Sequence, residues 1–100
     1  MLNIEPYLSK INKFCENQPI QRLGLFGSSL TDNFRDDSDI DILVVFDRKE
    51  NLDYFAKYFE IKINLESIFS RTVDLVVDKR FKNPYFQKVV DRTRQVIYER

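Results

Sequence analysis

Apolar residues recur at helical spacing near the start of the chain: Ile4, Tyr7, Leu8, Ile11, Phe14 and Cys15. That period predicts an amphipathic helix over residues 4–16, with Pro6 in its first turn and Asn17-Gln18-Pro19 as its stop. Residues 20–26 read as a strand with Leu23 and Leu25 on one face. Gly27 breaks that strand, and Ser28 or Ser29 is placed to cap a short helix running through about Asn33. Asp36-Asp37-Ser38 is turn chemistry. Residues 39–47 predict a second strand, the most hydrophobic run of the chain, and Asp47-Arg48-Lys49-Glu50-Asn51 a solvated loop. Residues 52–69 predict a long helix whose broad apolar face holds Tyr54, Phe55, Tyr58, Phe59, Ile61, Leu65, Ile68 and Phe69. Arg71 to Asp78 is a third strand centred on Val73-Asp74-Leu75-Val76-Val77. Asn83-Pro84 starts a further helix, with Phe86, Val89 and Val90 facing inward. Gln95-Val96-Ile97-Tyr98 either extends that helix or forms a final edge strand, and its β-prone residues favour the strand.

This order predicts an α/β fold, a sheet of three or four strands packed by helices. A length of 100 residues predicts a single domain, 1–100. An apolar share of 43% is enough for one packed core. The formal net charge is zero, so the whole-protein field offers no steering toward nucleic acid, and no direct nucleic-acid partner is expected. The one modest basic cluster is Lys79, Arg80 and Lys82, with Lys88, Arg92 and Arg94 further on. Cys15 stands alone, which excludes an intramolecular disulfide, and its place on an apolar helix face favours a core role. The absence of His removes His-based triads and His metal ligands. No apolar run approaches membrane-spanning length and the N-terminus carries no signal-peptide pattern, so a cytoplasmic protein without a membrane partner is expected.

The candidate chemistry lies in two stretches. Gly27-Ser28 closes a strand and opens a turn, where freed backbone N–H groups and a hydroxyl can cradle an anion, although most such corners are only turns. No Gly-Lys-Ser/Thr follows, so it is not a P-loop. Asp39 and Asp41 stand one residue apart at the start of the apolar second strand and so share a face. Two adjacent carboxylates repel, the more so when buried, and a cation between them removes the conflict. Mg²⁺ accepts one or two carboxylates together with substrate phosphate oxygens and waters. Asp74 is a further acid in an apolar strand pattern and can approach the other two if its strand is their neighbour. The alternatives are a salt bridge from Asp74 to Arg71 or Arg80, or solvated acids at a sheet edge. Three acids on two strands beside an anion corner suit metal-assisted phosphoryl transfer, in which two metals about 4 Å apart clamp the attacking and leaving oxygens. The third carboxylate can hold the catalytic metal and help deprotonate the attacking hydroxyl.

Gly27-Ser28, then Asp39-x-Asp41, then Asp74 on a later strand, resembles the nucleotidyltransferase superfamily of the DNA polymerase β type. The phrase Leu25-Phe26-Gly27-Ser28 … Asp37-Ser38-Asp39-Ile40-Asp41-Ile42-Leu43-Val44 resembles its minimal nucleotidyltransferase branch, the small MntA-like antitoxin partners of HEPN-type toxins. The tail, Lys82-Asn83-Pro84-Tyr85-Phe86 … Arg92-Thr93-Arg94-Gln95-Val96-Ile97-Tyr98, is similar to the end of such domains, so the resemblance covers nearly the whole chain. It implies a small polymerase β-like nucleotidyltransferase fold with a mixed sheet. It implies that Gly27, Ser28 and Ser29 bind the nucleotide and that Asp39, Asp41 and Asp74 ligate Mg²⁺ as the catalytic acids. The implied reaction is transfer of AMP from ATP to a tyrosine of the cognate HEPN toxin, a ribonuclease, with release of pyrophosphate.

Many relatives continue after Gly-Ser-x with Ala-Arg-Gly, where this chain has Leu30, Thr31 and Asp32. A basic residue and a Gly are lost there and an acid is gained at Asp32, with Arg35 a candidate to compensate by reaching back, which spacing does not show. The departure keeps two other readings open: an antitoxin that acts by contact alone, and a nucleotidyltransferase acting on RNA or a small molecule. So short a chain, with zero net charge, favours an acceptor presented by a partner protein. Tyr54, Tyr58, Tyr85 and Tyr98 are candidates for that interface, with ordinary packing the competing explanation.

Overall fold

The computed structural model describes residues 2–47, 51–77 and 95–100. Its elements are helix α1 (Leu8–Cys15), strands β1 (Ile20–Leu25) and β2 (Ile40–Phe46), helix α2 (Tyr54–Phe69), and strands β3 (Val73–Val77) and β4 (Gln95–Glu99). Short 3₁₀ turns occupy Glu5–Tyr7 and Gly27–Leu30. The first is a departure from the expected helix start. Tyr7 N–H bonds to Ile4 O three residues back, which tightens the turn around Pro6 before α1 begins.

The four strands form one mixed sheet in the order β3-β2-β1-β4. β1 pairs antiparallel with β2 and with β4, so residues 95–99 form an edge strand, as their β-prone composition predicts. β2 and β3 are parallel, with Ile40 opposite Val73 and Asp41 opposite Asp74. Parallel neighbours need a long crossover, and α2 supplies it. Asp53 caps the start of α2 by accepting Ala56 N–H, and Ser70 ends the helix in the left-handed region at φ 54°.

The core lies between the helices and one face of the sheet. α1 contributes Ile11 and Cys15, and α2 contributes Ile61, Leu65 and Phe69. They meet Leu23 and Leu25 of β1, Ile40, Ile42 and Val44 of β2, Val73 and Leu75 of β3, and Ile97 of β4. Burial pushes the Cys15 thiol up to about 12, against a smaller lowering effect of Arg100, so it behaves as a small hydrophobe. Because strand side chains alternate, the residues between these core positions, Asp41 and Asp74 among them, project to the opposite face.

The broad apolar face expected of α2 divides in two. Ile61, Leu65 and Phe69 are buried, but Phe55 and Phe59 are 76% and 45% exposed, and Ile63, outside the expected face, continues their stripe at 64%. The two stripes are offset by two residues, about 200° around a helix, and packing on one sheet can bury only one of them. Tyr54 and Tyr58 are tied by their hydroxyls to Asp47 O and Leu75 O, at 2.9 and 2.6 Å, which favours packing roles for both. Tyr98 is half-buried against the core. The expected helix from Asn83-Pro84, with Phe86, Val89 and Val90, lies outside the described residues, as do Tyr85, the basic residues 79–94 and Arg48–Glu50 of the loop. Among the described residues no helix is long and apolar enough to cross a membrane.

Leu65→Ala should lower stability by about 2–5 kcal/mol. Ile63→Ala, two positions away and mostly exposed, should change it by no more than about 0.5 kcal/mol. Urea denaturation of the two variants checks both values.

Candidate active site

β1 ends in a corner pressed against β2. Phe26 is extended, and Gly27 turns into the left-handed region at φ 61°. A Cβ on Gly27 would stand 2.7 Å from Asp41 Oδ2 and 3.4 Å from its Cγ. Glycine is therefore needed here twice, for the backbone angle and for the carboxylate beside it. Phe26 N–H donates to Asp41 O at 3.1 Å, which fastens the corner to the second strand.

The two serines after Gly27 both serve Asp41. Ser28 Oγ donates to Asp41 Oδ2 at 3.2 Å. The Ser28 backbone N–H also stabilises the charged carboxylate. Ser29 Oγ accepts Asp41 N–H at 3.0 Å, and Ser29 is fully buried. Neither hydroxyl caps the turn, contrary to the expected capping role. A buried Ser29 side chain is also closed to direct nucleotide contact. Its place is behind the site, holding the backbone of Asp41. Gly27 is exposed and Ser28 is half-buried at the surface of the corner.

The parallel register sets Asp41 beside Asp74, and Asp39 lies just before β2 begins. The three acids thus meet at one end of the β2–β3 pair, next to the Gly27 corner. Burial pushes the Asp41 carboxyl above its ordinary 3.8, the bond from Ser28 opposes this, and the charges of Asp74 and Asp39 push it further up. Among the described residues no cation pairs with any of the three. Arg71, one candidate partner for Asp74, instead donates to the carbonyls of Arg35 and Ser38. Arg80 lies outside the described residues.

These residues suit a hard divalent cation in donor type, since all are carboxylate oxygens, and in electrostatics, since among the described residues no cation offsets their mutual repulsion. They do not form a ready-made cage: among the described residues no group of three or more acids, Cys or His stands in metal-holding geometry. Mg²⁺ does not require one, because it takes one or two carboxylates and completes its shell with phosphate oxygens and water. In the divergent segment Asp32 is exposed. Thr31 folds back on Ser28 O through both its N–H and its hydroxyl, at 3.1 and 3.0 Å. Arg35 N–H bonds to Ser38 Oγ at 3.0 Å, and Arg35 is exposed.

A family model described as "Nucleotidyltransferase domain" matches residues 8–97. The chain is 35% identical over 89 residues to a protein of Methanocaldococcus jannaschii named "putative protein adenylyltransferase", covering 88% of each. It is 33% identical over 79 residues to protein adenylyltransferase MntA of Thermococcus cleftensis, covering 79% of this chain and 74% of that one. A crystal structure of a toxin–antitoxin with AMP-PNP shares the fold at a TM-score of 0.68 and 26% identity, covering 93% of this chain and 73% of that one.

Gly27→Ala should cost about 1–3 kcal/mol from the left-handed backbone alone, with the Asp41 carboxylate displaced in addition, as thermal denaturation and a crystal structure of the variant would show. Asp41→Asn tests the electrostatics. A folded-state pKa above the unfolded value means that ionised Asp41 opposes folding at neutral pH and ceases to do so as pH falls toward 3.8. The Asn variant should therefore melt at or above the wild-type temperature at pH 7, with that advantage fading below about pH 4. A wild-type advantage that grows with pH would contradict the assigned repulsion.

Proposed function

The chain belongs to the nucleotidyltransferase domain family, and from that premise we propose that it is a Mg²⁺-dependent protein adenylyltransferase, an antitoxin that transfers AMP from ATP to a tyrosine of a HEPN-type toxin. The observation that carries this reading is the registered pair Asp41–Asp74 beside the Gly27-Ser28 corner. The relatives named protein adenylyltransferase and the toxin–antitoxin bound to AMP-PNP support the donor and the partner.

In this reading Asp39 and Asp41 hold Mg²⁺, and Asp74 completes the acidic set. The ion, when bound, neutralises phosphate charge and polarises the phosphorus under attack. Gly27 leaves the corner open to the triphosphate, and Ser28 exchanges its bond to Asp41 for one to a phosphate oxygen. Ser29 keeps the Asp41 backbone in place from behind. Asp74 accepts the proton of the tyrosine hydroxyl. The phenolic oxygen forms a bond to the α-phosphorus, the α–β phosphoanhydride bond breaks, and pyrophosphate leaves.

Incubation with α-labelled ATP, Mg²⁺ and the partner toxin should place label on a toxin tyrosine. Asp39→Ala with Asp41→Ala should reduce that labelling by more than about a hundredfold, beyond the loss typical of residues that only support metal ligands. Labelling that survives the double substitution would remove these acids from the mechanism. Neutralisation of the toxin that survives without labelling would instead establish an antitoxin acting by contact.

A further inference from the structure

Asp39 ends an irregular run, residues 31–39, that contains no helix or strand. A carboxylate so placed is only as well positioned as the run that carries it. The last turn of that run is closed by Ser38 N–H on Arg35 O and Arg35 N–H on Ser38 Oγ, both at 3.0 Å. These bonds shape the turn without attaching it to the rest of the fold.

Phe34 packs the run against the core, and Arg71 attaches the turn itself. Its Nη2 donates to both Arg35 O and Ser38 O, and its guanidinium lies 4.4 Å from the centre of the Phe34 ring. Arg71 is itself anchored, with its N–H on Glu66 O at the end of α2. Two residues on, Val73 N–H bonds to the Glu66 carboxylate at 2.9 Å, and Ile40 N–H meets Thr72 O at 3.0 Å. One planar cation therefore joins the segment leading into Asp39 to the segment leading into Asp74. It stacks and donates at once, which a lysine ammonium cannot reproduce.

We infer that Arg71 is a positioning residue of the metal site: through the 35–38 turn it sets Asp39 against Asp74, without touching substrate. The inference rests on the reading of these acids as metal ligands.

Mn²⁺ titration followed by electron paramagnetic resonance, with AMP-PNP present, separates this role from a general loss of stability. Arg71→Met should raise the Mn²⁺ dissociation constant about tenfold, and Arg71→Lys should recover part of the loss. Arg22→Met, which removes the 3.3 Å ion pair with Glu99 toward the other edge of the sheet, should leave it within about twofold. Because Arg71 acts through Asp39, Arg71→Met should add no further loss in an Asp39→Asn background but keep its effect in an Asp74→Asn background. Should Arg71→Met not fold, Phe34→Leu, which removes the stack and keeps an apolar side chain against the core, should still raise the constant about threefold. An unchanged Mn²⁺ constant in the folded Arg71 or Phe34 variants, or an undiminished effect in Asp39→Asn, overturns this inference alone. Failure of the wild-type protein to bind Mn²⁺ with AMP-PNP overturns the metal-site reading together with it.

Discussion

The carboxylate of Asp41 is the point on which the site and the sheet both depend. It is packed against a glycine that has no room for a side chain, and it receives a serine hydroxyl. It also stands opposite a second carboxylate on the neighbouring strand. Its backbone is held on two sides, by Phe26 N–H on its carbonyl and by Ser29 Oγ on its amide. Together these bonds join the end of β1 to the start of β2, the two strands at the centre of the sheet. The group that burial and like charges disfavour is thus also a group with dense local support. That combination is expected where a charged site is assembled on a framework whose stability comes from elsewhere.

That stability comes from the other face of the sheet. Ile40, Ile42 and Val44 alternate with Asp41 and Leu43 along β2, and the first set is buried under α1 and α2. Alternation lets one strand serve as core on one side and as a platform for acids on the other. The parallel pairing of β2 with β3 follows from α2 crossing over the core face, and it brings Asp74 alongside Asp41 rather than at some other height.

Much of this was legible in the chain, for identifiable reasons. Asp39-Ile40-Asp41 entering an apolar run indicates a strand with a polar face, and Gly27 before two serines indicates a tight corner. The strand character of residues 95–99 follows from their β-branched and aromatic content. What was less legible depended on tertiary geometry. The serine hydroxyls look like helix caps in sequence, but Asp41 lies within their reach and takes both. Ser29 lies next to Ser28, and only the fold reveals that it is sealed. On α2, Phe55, Phe59 and Ile63 are as apolar as the residues that are buried, and which stripe meets the sheet is settled by packing. Arg71 precedes an acidic strand and suggests an ion pair, whereas its partners are carbonyls more than thirty positions away. Phe34, alone among polar residues 31–38, was the one local sign of a surface on which a planar cation stacks.

The β2–β3 register also limits how the chain can vary in length. Asp74 faces the site because Val73 and Leu75, on either side of it, fill the core. Slipping β3 by one residue would turn Asp74 into the core and Val73 and Leu75 toward the acids. Only Ser70, Arg71 and Thr72 separate α2 from β3, and the last two are already committed through their backbones to Glu66 and Ile40. A single-residue insertion or deletion there has little slack to enter and would reverse the strand, whereas a change ahead of the Asp53 cap leaves the alternation untouched. Length in this fold is thus constrained by parity on one side of the crossover helix and open to drift on the other.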